Sequence, residues 1–253
     1  MPAAVQPGWE VAIVRQETHY IRTDDPRPGG FGSVDMIEVE TTLAYGIGRK
    51  SALMLHVPVM VHDLENPAGN PEADGWGLDD ITVMLQHRFY QEDVGPIETR
   101  RAVLLAGVEV PSYDGGFSSE SFDPMLGVAY TRIDGRHGLN ASALWKFNTG
   151  THDDFEFEFG DSKFDAFKLD GSYLYRLSPE QYTAETTGSN YVQAQLLGRY
   201  ETNGDHMMMF APGWMYEGRR WAFEATFHVP VYQELEHRTE LEYGINFGVR
   251  YLF

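Results

Sequence analysis

Apolar and polar side chains alternate strictly along the final stretch of the chain, Glu242–Phe253. Counting back from the C-terminus, every second residue is apolar or aromatic: Phe253, Tyr251, Val249, Phe247, Ile245 and Tyr243. The residues between them are small or polar, except for Leu252. A period of two places the two sets on opposite faces of a β-strand. The chain is therefore predicted to end in a strand with one apolar face.

The same alternation recurs along the whole chain and predicts an all-β protein. Twelve strands are expected at approximately residues 9–22, 35–46, 51–63, 78–91, 98–110, 122–133, 137–149, 163–177, 190–202, 206–217, 219–233 and 241–253. Turn residues separate them, and no linker divides the chain, so residues 1–253 are predicted to form one domain. The faces of the first strand are ambiguous, because Val11 and Ile13 share one parity and Ala12 and Val14 the other.

The connections between the predicted strands alternate between long and short. The long ones are 23–34, 63–77, 111–121 and 150–162, and the short ones include 46–50, 91–96, 134–137 and 217–219. Two connections, 178–189 and 202–205, depart from this rule. Long loops on one rim and short turns on the other are typical of outer-membrane barrels. We therefore predict a single antiparallel up-and-down transmembrane β-barrel, most simply of 12 strands, in the bacterial outer membrane.

Alternation alone does not say which face of each strand is inside. If the apolar face points outward, the barrel spans a membrane, and aromatic residues near the strand ends form interfacial girdles. If it points inward, the chain forms a soluble barrel or a sandwich. With the apolar face outward, the candidate lumen and permeation residues are Glu38, Glu40, Arg88, Lys146, Lys168, Asp170, Arg176, Arg199, Glu224, Asn246 and Arg250.

Composition narrows the possible partners. The formal net charge of −19 argues against nucleic acid, and the absence of cysteine excludes disulfides and thiol chemistry. Acidic residues concentrate in the predicted outer loops and could draw cations to the mouth. The N-terminal residues lack a basic segment followed by an apolar core, so we interpret the chain as a mature form without its signal peptide. Expected partners are outer-membrane lipid and lipopolysaccharide, the barrel-assembly machinery during insertion, and a small-molecule solute.

Motifs of enzymes are missing from the sequence, and neither catalysis nor a cofactor is predicted. It has no nucleophile elbow, phosphate loop or zinc helix motif. A barrel hydrolase is kept as an alternative, because dispersed serine, histidine and aspartate residues could still meet in the fold. A second alternative is copper handling through soft ligands predicted to face the lumen: Met54, His56, Met60, His62 and His228. Methionine could equally fill an irregular lumen without binding metal.

Several short motifs resemble one family of outer-membrane barrels. They are Gly77-Leu-Asp-Asp-Ile-Thr-Val-Met-Leu-Gln-His-Arg-Phe-Tyr90, Gly107-Val-Glu-Val-Pro-Ser-Tyr-Asp114, Pro212-Gly-Trp-Met-Tyr216 and Phe227-His-Val-Pro-Val231. Their order along residues 35–253 is similar to that of the family named for transport in the MetA pathway of phenol degradation. Asp79 stands where that family usually has a second glycine. The resemblance implies an outer-membrane barrel that admits small, often aromatic, molecules.

These observations predict a channel or facilitator for small solutes, and the resemblance favours hydrophobic or aromatic ones. A structural barrel in a larger assembly is a further alternative. The final strand has a separate predicted role. Its apolar face resembles the signal that the barrel-assembly machinery recognises, which we assign to Phe247, Val249, Tyr251 and Phe253. Solute handling is then expected on the opposite face. No pattern in the sequence predicts an oligomeric state.

Overall fold

The computed structural model describes residues 6–25, 32–65, 74–95, 97–113, 116–150, 160 and 162–253. These residues form an all-β fold whose strands are β1 (Ala12–Asp25), β2 (Gly32–Gly46), β3 (Ser51–Leu64), β4 (Gly75–Leu78), β5 (Ile81–Asp93), β6 (Thr99–Val110), β7 (Asp123–Asp134), β8 (His137–Lys146), β9 (Ala166–Ser178), β10 (Gly188–Glu201), β11 (His206–Gly218), β12 (Trp221–Glu234) and β13 (Glu240–Leu252). Most predicted strand limits lie within about three residues of those observed. None of the described residues forms a helix long and apolar enough to cross a membrane.

The strands close into one antiparallel barrel. Strands that are neighbours in the chain pair with each other, except that β4 and β5 both pair with β3. β1 pairs with β13, with Ile13 opposite Leu252 at one end and Asp24 opposite Glu240 at the other. The predicted strand 78–91 is divided in two. β3 pairs with β5 through Ser51–His56 and with β4 through Val59–His62, so β4 and β5 occupy a single position in the barrel. The prediction of a 12-stranded up-and-down barrel is therefore confirmed, with one interrupted strand.

The outer surface of the barrel is apolar. Large side chains that alternate with lumen residues are exposed on nearly every strand, among them Leu53, Leu85, Leu126, Leu169, Leu196 and Phe247. A soluble monomer rarely exposes contiguous apolar surface of this extent, whereas hydrocarbon requires it. The apolar face thus points outward, and the soluble barrel and the sandwich are both wrong.

The pairing of β1 settles the faces of the first strand. Arg15, Glu17, His19 and Ile21 face the lumen, and each lies opposite a lumen residue of β13. The outward set includes Gln16 and Thr18, which are exposed beside Val249 and Phe247. The pattern of this strand is ambiguous in sequence because its outward face carries polar residues at hydrocarbon depth.

The first and last described residues lie at one end of the barrel, which also holds the short connections; we call it the short-turn rim. The opposite end, the long-loop rim, holds the connections between β1 and β2, β3 and β4, β6 and β7, and β8 and β9. Large parts of these loops, including Asp114, lie outside the described residues. The predicted acidic outer mouth therefore stays a prediction.

The largest buried cluster of the interior lies on one side of the barrel. Met84, Val103, Leu105, Met125 and Ala129 form a buried cluster on β5–β7, and Met54 and Leu144 pack against it from β3 and β8. Two smaller clusters lie near the long-loop rim, one of Val34, Met36 and Leu64 and the other of Leu197, Met209 and Leu241. A barrel of this strand number is wider than one that side chains fill completely. The open space therefore lies off-centre, against the wall made by β9–β13 and β1.

Candidate functional site

A cavity of about 1050 Å³ occupies the unfilled side of the barrel. Inward residues of β1 and β9–β13 line most of its length, and β6–β8 contribute only where they approach the short-turn rim. It reaches that rim at the turns around Gly95 and Gly135. Towards the long-loop rim it is bounded by Met36, Leu197 and Leu241. The cavity is the described part of the lumen and is the candidate functional site.

The wall formed by β1, β12 and β13 carries a charge network. The Arg15 guanidinium lies 2.9 Å from a Glu17 carboxylate oxygen and also donates to Glu224. The Asn246 amide donates to Glu17 at 3.2 Å, and His19 Nε2 lies 3.9 Å from the same carboxylate. Charges facing a narrow lumen are costly unless they are paired or hydrated. Each charged side chain of this network therefore has a partner, with two carboxylates around one guanidinium.

On the wall formed by β9 and β10, one charged side chain lacks such a partner among the described residues. Arg199 donates to Asp170 and to the carbonyl oxygen of Gly198, the latter at 2.8 Å. Lys168 stands directly opposite Arg199 in the pairing of the two strands. It makes no hydrogen bond or ion pair with any part of the chain that the structure describes. Apolar side chains adjoin these charges, because Leu144 is opposite Lys168 on β8 and Met207 is opposite Arg199 on β11.

The connection between β9 and β10, which the sequence marks as unusually long, folds back into the short-turn rim. The Tyr182 ring lies 4.1 Å from the guanidinium of the buried Arg176, and its hydroxyl is 2.8 Å from that of Tyr191. Arg176 also donates to the Pro179 carbonyl oxygen at 3.0 Å. Burial alone would raise the pKa of Tyr182, but hydrogen bonds from Ser189 and Tyr191 and the charge of Arg176 bring this pKa below its ordinary value. Tyr182 and Arg176 both line the cavity, so this turn narrows the mouth.

The long-loop rim contains two sets of buried polar contacts. Arg238 binds Glu201 through two hydrogen bonds, and their side chains are 2% and 0% exposed. The neighbouring Asp205 accepts hydrogen bonds from the backbone amides of Glu236 and His237, at 2.9 and 3.0 Å. These contacts tie the β10–β11 and β12–β13 loops together beyond the end of the cavity.

On the other side of this rim, the loop after β6 docks on the break between β4 and β5. The buried Asp80 carboxylate accepts hydrogen bonds from the backbone amides of Ser112 and Ser119, both at 3.0 Å. The Phe117 ring packs against His62, with 4.9 Å between ring centroids, and fills the space above Gly77. Sequence reasoning missed Asp80 and Phe117. The double aspartate in an otherwise alternating strand was the available signal.

Seven of the predicted lumen residues line the cavity: Glu38, Lys168, Arg176, Arg199, Glu224, Asn246 and Arg250. The other four have partners elsewhere on the inner wall or at its ends. Glu40 contacts His56, Arg88 donates to the Arg49 carbonyl oxygen, Lys146 pairs with Glu109, and Asp170 pairs with Arg199. The structure therefore brings most of the predicted set together, and the faces assigned from sequence agree with these positions.

The predicted copper ligands do not gather at one point of this cavity. His228 lines it, whereas Met54 packs on the apolar cluster, His56 bonds with Glu40 and Thr42, Met60 is buried, and His62 stacks on Phe117. Within the described ranges, no group of three or more histidine and acidic side chains could hold a metal ion. The copper hypothesis, which also uses thioethers, stays a prediction.

The predicted assembly signal lies on the outside of the barrel. Phe247 and Phe253 are 64% and 68% exposed, and Val249 and Tyr251 share their face of β13. The Tyr251 ring packs on Trp221, 4.4 Å between centroids, close to the short-turn rim. Recognition by assembly machinery is untested and stays a prediction.

Comparison with known proteins reveals similarity in fold. No protein-family model and no curated protein matches the chain, so the resemblance to the MetA-pathway family stays a prediction. Among solved structures, an outer membrane channel from Pseudomonas putida F1 superposes with a TM-score of 0.61 at 11% identity, covering 99% of this chain and 97% of that one. The β domain of the Bordetella autotransporter BrkA gives 0.49 at 11% identity, over 96% and 99% of the two chains. The CymD monoaromatic hydrocarbon channel gives 0.47 at 8% identity, over 98% and 89%. The chain therefore has the fold of an outer-membrane β-barrel.

Proposed function

We propose that this protein is an outer-membrane channel that lets small solutes pass along the wall formed by β9–β13 and β1. The observation that carries the proposal is the cavity, which follows this wall from Leu241 near the long-loop rim to the turns of the short-turn rim. A barrel with a purely structural role has no need of a lumen of about 1050 Å³. The Pseudomonas putida channel of the same fold supports this proposal.

The lining of the cavity favours solutes with both polar and apolar parts. Charged groups such as Arg15 and Glu224 lie on one part of the wall, and Leu197, Met207 and Met209 lie on another. Apolar solutes gain from contact with the methionines, whose flexible thioethers adapt to different shapes. Hydrophobic or aromatic compounds with a polar group therefore suit the lumen. We place the protein in the bacterial outer membrane, in contact with lipid and lipopolysaccharide.

Catalysis is not part of the proposal. The hydroxyl–histidine contacts of the described residues include Ser51 with His87, at the short-turn rim, and Thr226 with His228, inside the lumen. Within the described residues, neither histidine forms a hydrogen bond or ion pair with a carboxylate that would complete a hydrolytic triad. A hydrolase would be revealed by covalent labelling with a serine-reactive probe.

The channel is tested by narrowing it from inside. Gly244 lines the cavity, and a side chain built there would have its nearest neighbours at 3.4 Å, so Gly244→Phe should fold and project a ring into the lumen. Leu196 on β10 faces lipid, is 51% exposed and does not line the cavity, which makes Leu196→Phe the matched control. Single-channel conductance in planar bilayers and liposome swelling are measured for all three proteins. We expect Gly244→Phe to reduce both, and Leu196→Phe to leave them at the level of the unmodified chain.

Two results would contradict the proposal. One is a folded barrel that is silent in both assays, as expected for a structural component of a larger assembly. The other is equal conductance of the two phenylalanine variants. Folding is checked independently by the change in electrophoretic mobility that barrels show on heating.

A further inference from the structure

The cations that line the lumen differ in whether they form ion pairs or hydrogen bonds with the protein. Those that line the cavity are Arg15, Arg101, Arg136, Lys168, Arg176, Arg199 and Arg250. Arg15, Arg199 and Arg250 form ion pairs with Glu17, Asp170 and Glu217, and Arg101 lies 3.8 Å from Asp93. Arg136 and Arg176 donate to backbone carbonyl oxygens. Within the described chain, Lys168 alone among these cations has neither an ion pair nor a hydrogen bond.

The position of Lys168 increases the free-energy cost of leaving its charge without a partner. It lies directly opposite Arg199 on the neighbouring strand, and like charges in that position repel. Asp170 neutralises one of the two cations and is already bound to Arg199. Glu38 lines the same cavity from β2 but forms no ion pair with Lys168 in the described structure. This wall therefore presents one uncompensated positive charge to the lumen.

The surroundings of that charge are apolar. Leu144 and Met207 flank the Lys168–Arg199 pair on the adjacent strands, and Leu197 and Met209 lie one position further along the lumen wall. A cation beside apolar groups is stabilised by an anion that can also contact them. A carboxylate on an apolar or aromatic body meets both requirements, and the cavity is of the size that holds drug-sized molecules.

We propose that Lys168, with Arg199, forms a binding site in the lumen for the carboxylate of small apolar monocarboxylates. Nζ of Lys168 donates to the carboxylate, Arg199 adds its positive charge, and the solute body packs on Met207, Met209 and Leu197. The inference rests on the proposed channel, since it names the class of solute that the lumen selects. It also explains why a chain with an acidic total charge keeps two cations side by side on this wall.

The test compares benzoate with its neutral counterpart benzamide. Binding of each is measured by titration calorimetry on the purified barrel in detergent, and relative permeation by swelling of liposomes that contain it. Lys168→Met removes the charge at similar length, and Lys168→Arg keeps it. Lys163→Met is the matched control, because Lys163 lies over the Phe164 ring, outside the cavity lining.

We expect the unmodified protein to prefer benzoate, and Lys168→Met to weaken benzoate binding about tenfold, as loss of one charge-assisted hydrogen bond predicts. Benzamide binding should not change in any variant. Lys168→Arg and Lys163→Met should bind benzoate within about threefold of the unmodified protein, because the charge in the lumen is retained.

The inference is wrong if benzoate and benzamide bind equally well, or if Lys168→Met binds benzoate as tightly as the unmodified chain. Its failure can be told apart from failure of the channel. A barrel that conducts, and that Gly244→Phe blocks, but that shows no preference for benzoate refutes only the solute class. A barrel that binds benzoate through Lys168 yet passes no solute refutes only the channel.

Discussion

The long-loop rim contains an ion pair that is buried away from water. Glu201 and Arg238 are almost completely buried, and Arg238 donates to both oxygens of the Glu201 carboxylate. The sequence predicts the face of a residue from its parity, which placed Arg199 and Glu224 correctly in the lumen. It could not pair Glu201 with Arg238, since their contact depends on how two loops fold against each other.

Removing one member of this pair should destabilise the barrel. Arg238→Met leaves the Glu201 carboxylate buried and uncompensated, and we expect a loss of about 3–5 kcal/mol in the free energy of unfolding. Urea unfolding in lipid vesicles measures it. The exposed pair of Arg132 and Asp134 is the control, where Asp134→Asn should cost about 0–1 kcal/mol. The double variant Glu201→Gln with Arg238→Met should recover much of the loss; a single variant as stable as the unmodified chain contradicts the prediction.

Among the elements, the interrupted strand departs most from the sequence pattern. Alternation predicted one strand over residues 78–91, whereas the structure has β4 and β5 with Asp79 and Asp80 between them. Asp80 leaves the ladder because its carboxylate binds Ser112 and Ser119 in the loop after β6. Partners so far apart in the chain leave no local pattern. The same holds for the turn of Tyr182, whose unusual length was visible but whose inward fold was not.

The docking of this loop can be tested through Gly77. A Cβ at Gly77 would lie 2.4 Å from the Phe117 ring, so Gly77→Val should displace the ring and expose the loop. We expect faster cleavage at Phe117 by chymotrypsin and a loss of about 1–3 kcal/mol in stability, as overpacking predicts. At Gly171, where a Cβ would meet nothing within 4 Å, Gly171→Val should change neither. Adding Phe117→Ala to Gly77→Val should restore stability, and unchanged cleavage of Gly77→Val would contradict the docking.

For the whole molecule, the period of two predicted the strand number and, together with the alternating loop lengths, a closed barrel whose apolar face points outward. It succeeded because almost every strand meets hydrocarbon on one side and the lumen on the other, so the two environments sort the residues. β1 is an exception, because Gln16 and Thr18 lie on its lipid side. The off-centre cavity also lay beyond the pattern, because Val103 and Leu105 face inward although they are apolar.

Contact between the apolar outer face and hydrocarbon leads to a quantitative prediction. Phe247 lies on the outer face of β13 at hydrocarbon depth, so Phe247→Arg should destabilise the barrel by about 2–4 kcal/mol in lipid vesicles. Phe122 is 53% exposed but precedes β7 at the long-loop rim, so Phe122→Arg should cost about 0–1 kcal/mol near the interface. Equal costs at the two positions would mean that the apolar belt does not face hydrocarbon.

Because only one half of the barrel is filled, substitutions of inward residues have different effects in the two halves. On β5–β7 the interior side chains touch one another, so a substitution there changes packing volume and must be matched by its neighbours. On β9–β13 and β1 they border open space, where a substitution changes the charge or the bore of the lumen as well as contacts with neighbours. Substitutions along the open half can therefore change which solute the lumen accepts, while the filled half keeps the fold of the barrel unchanged.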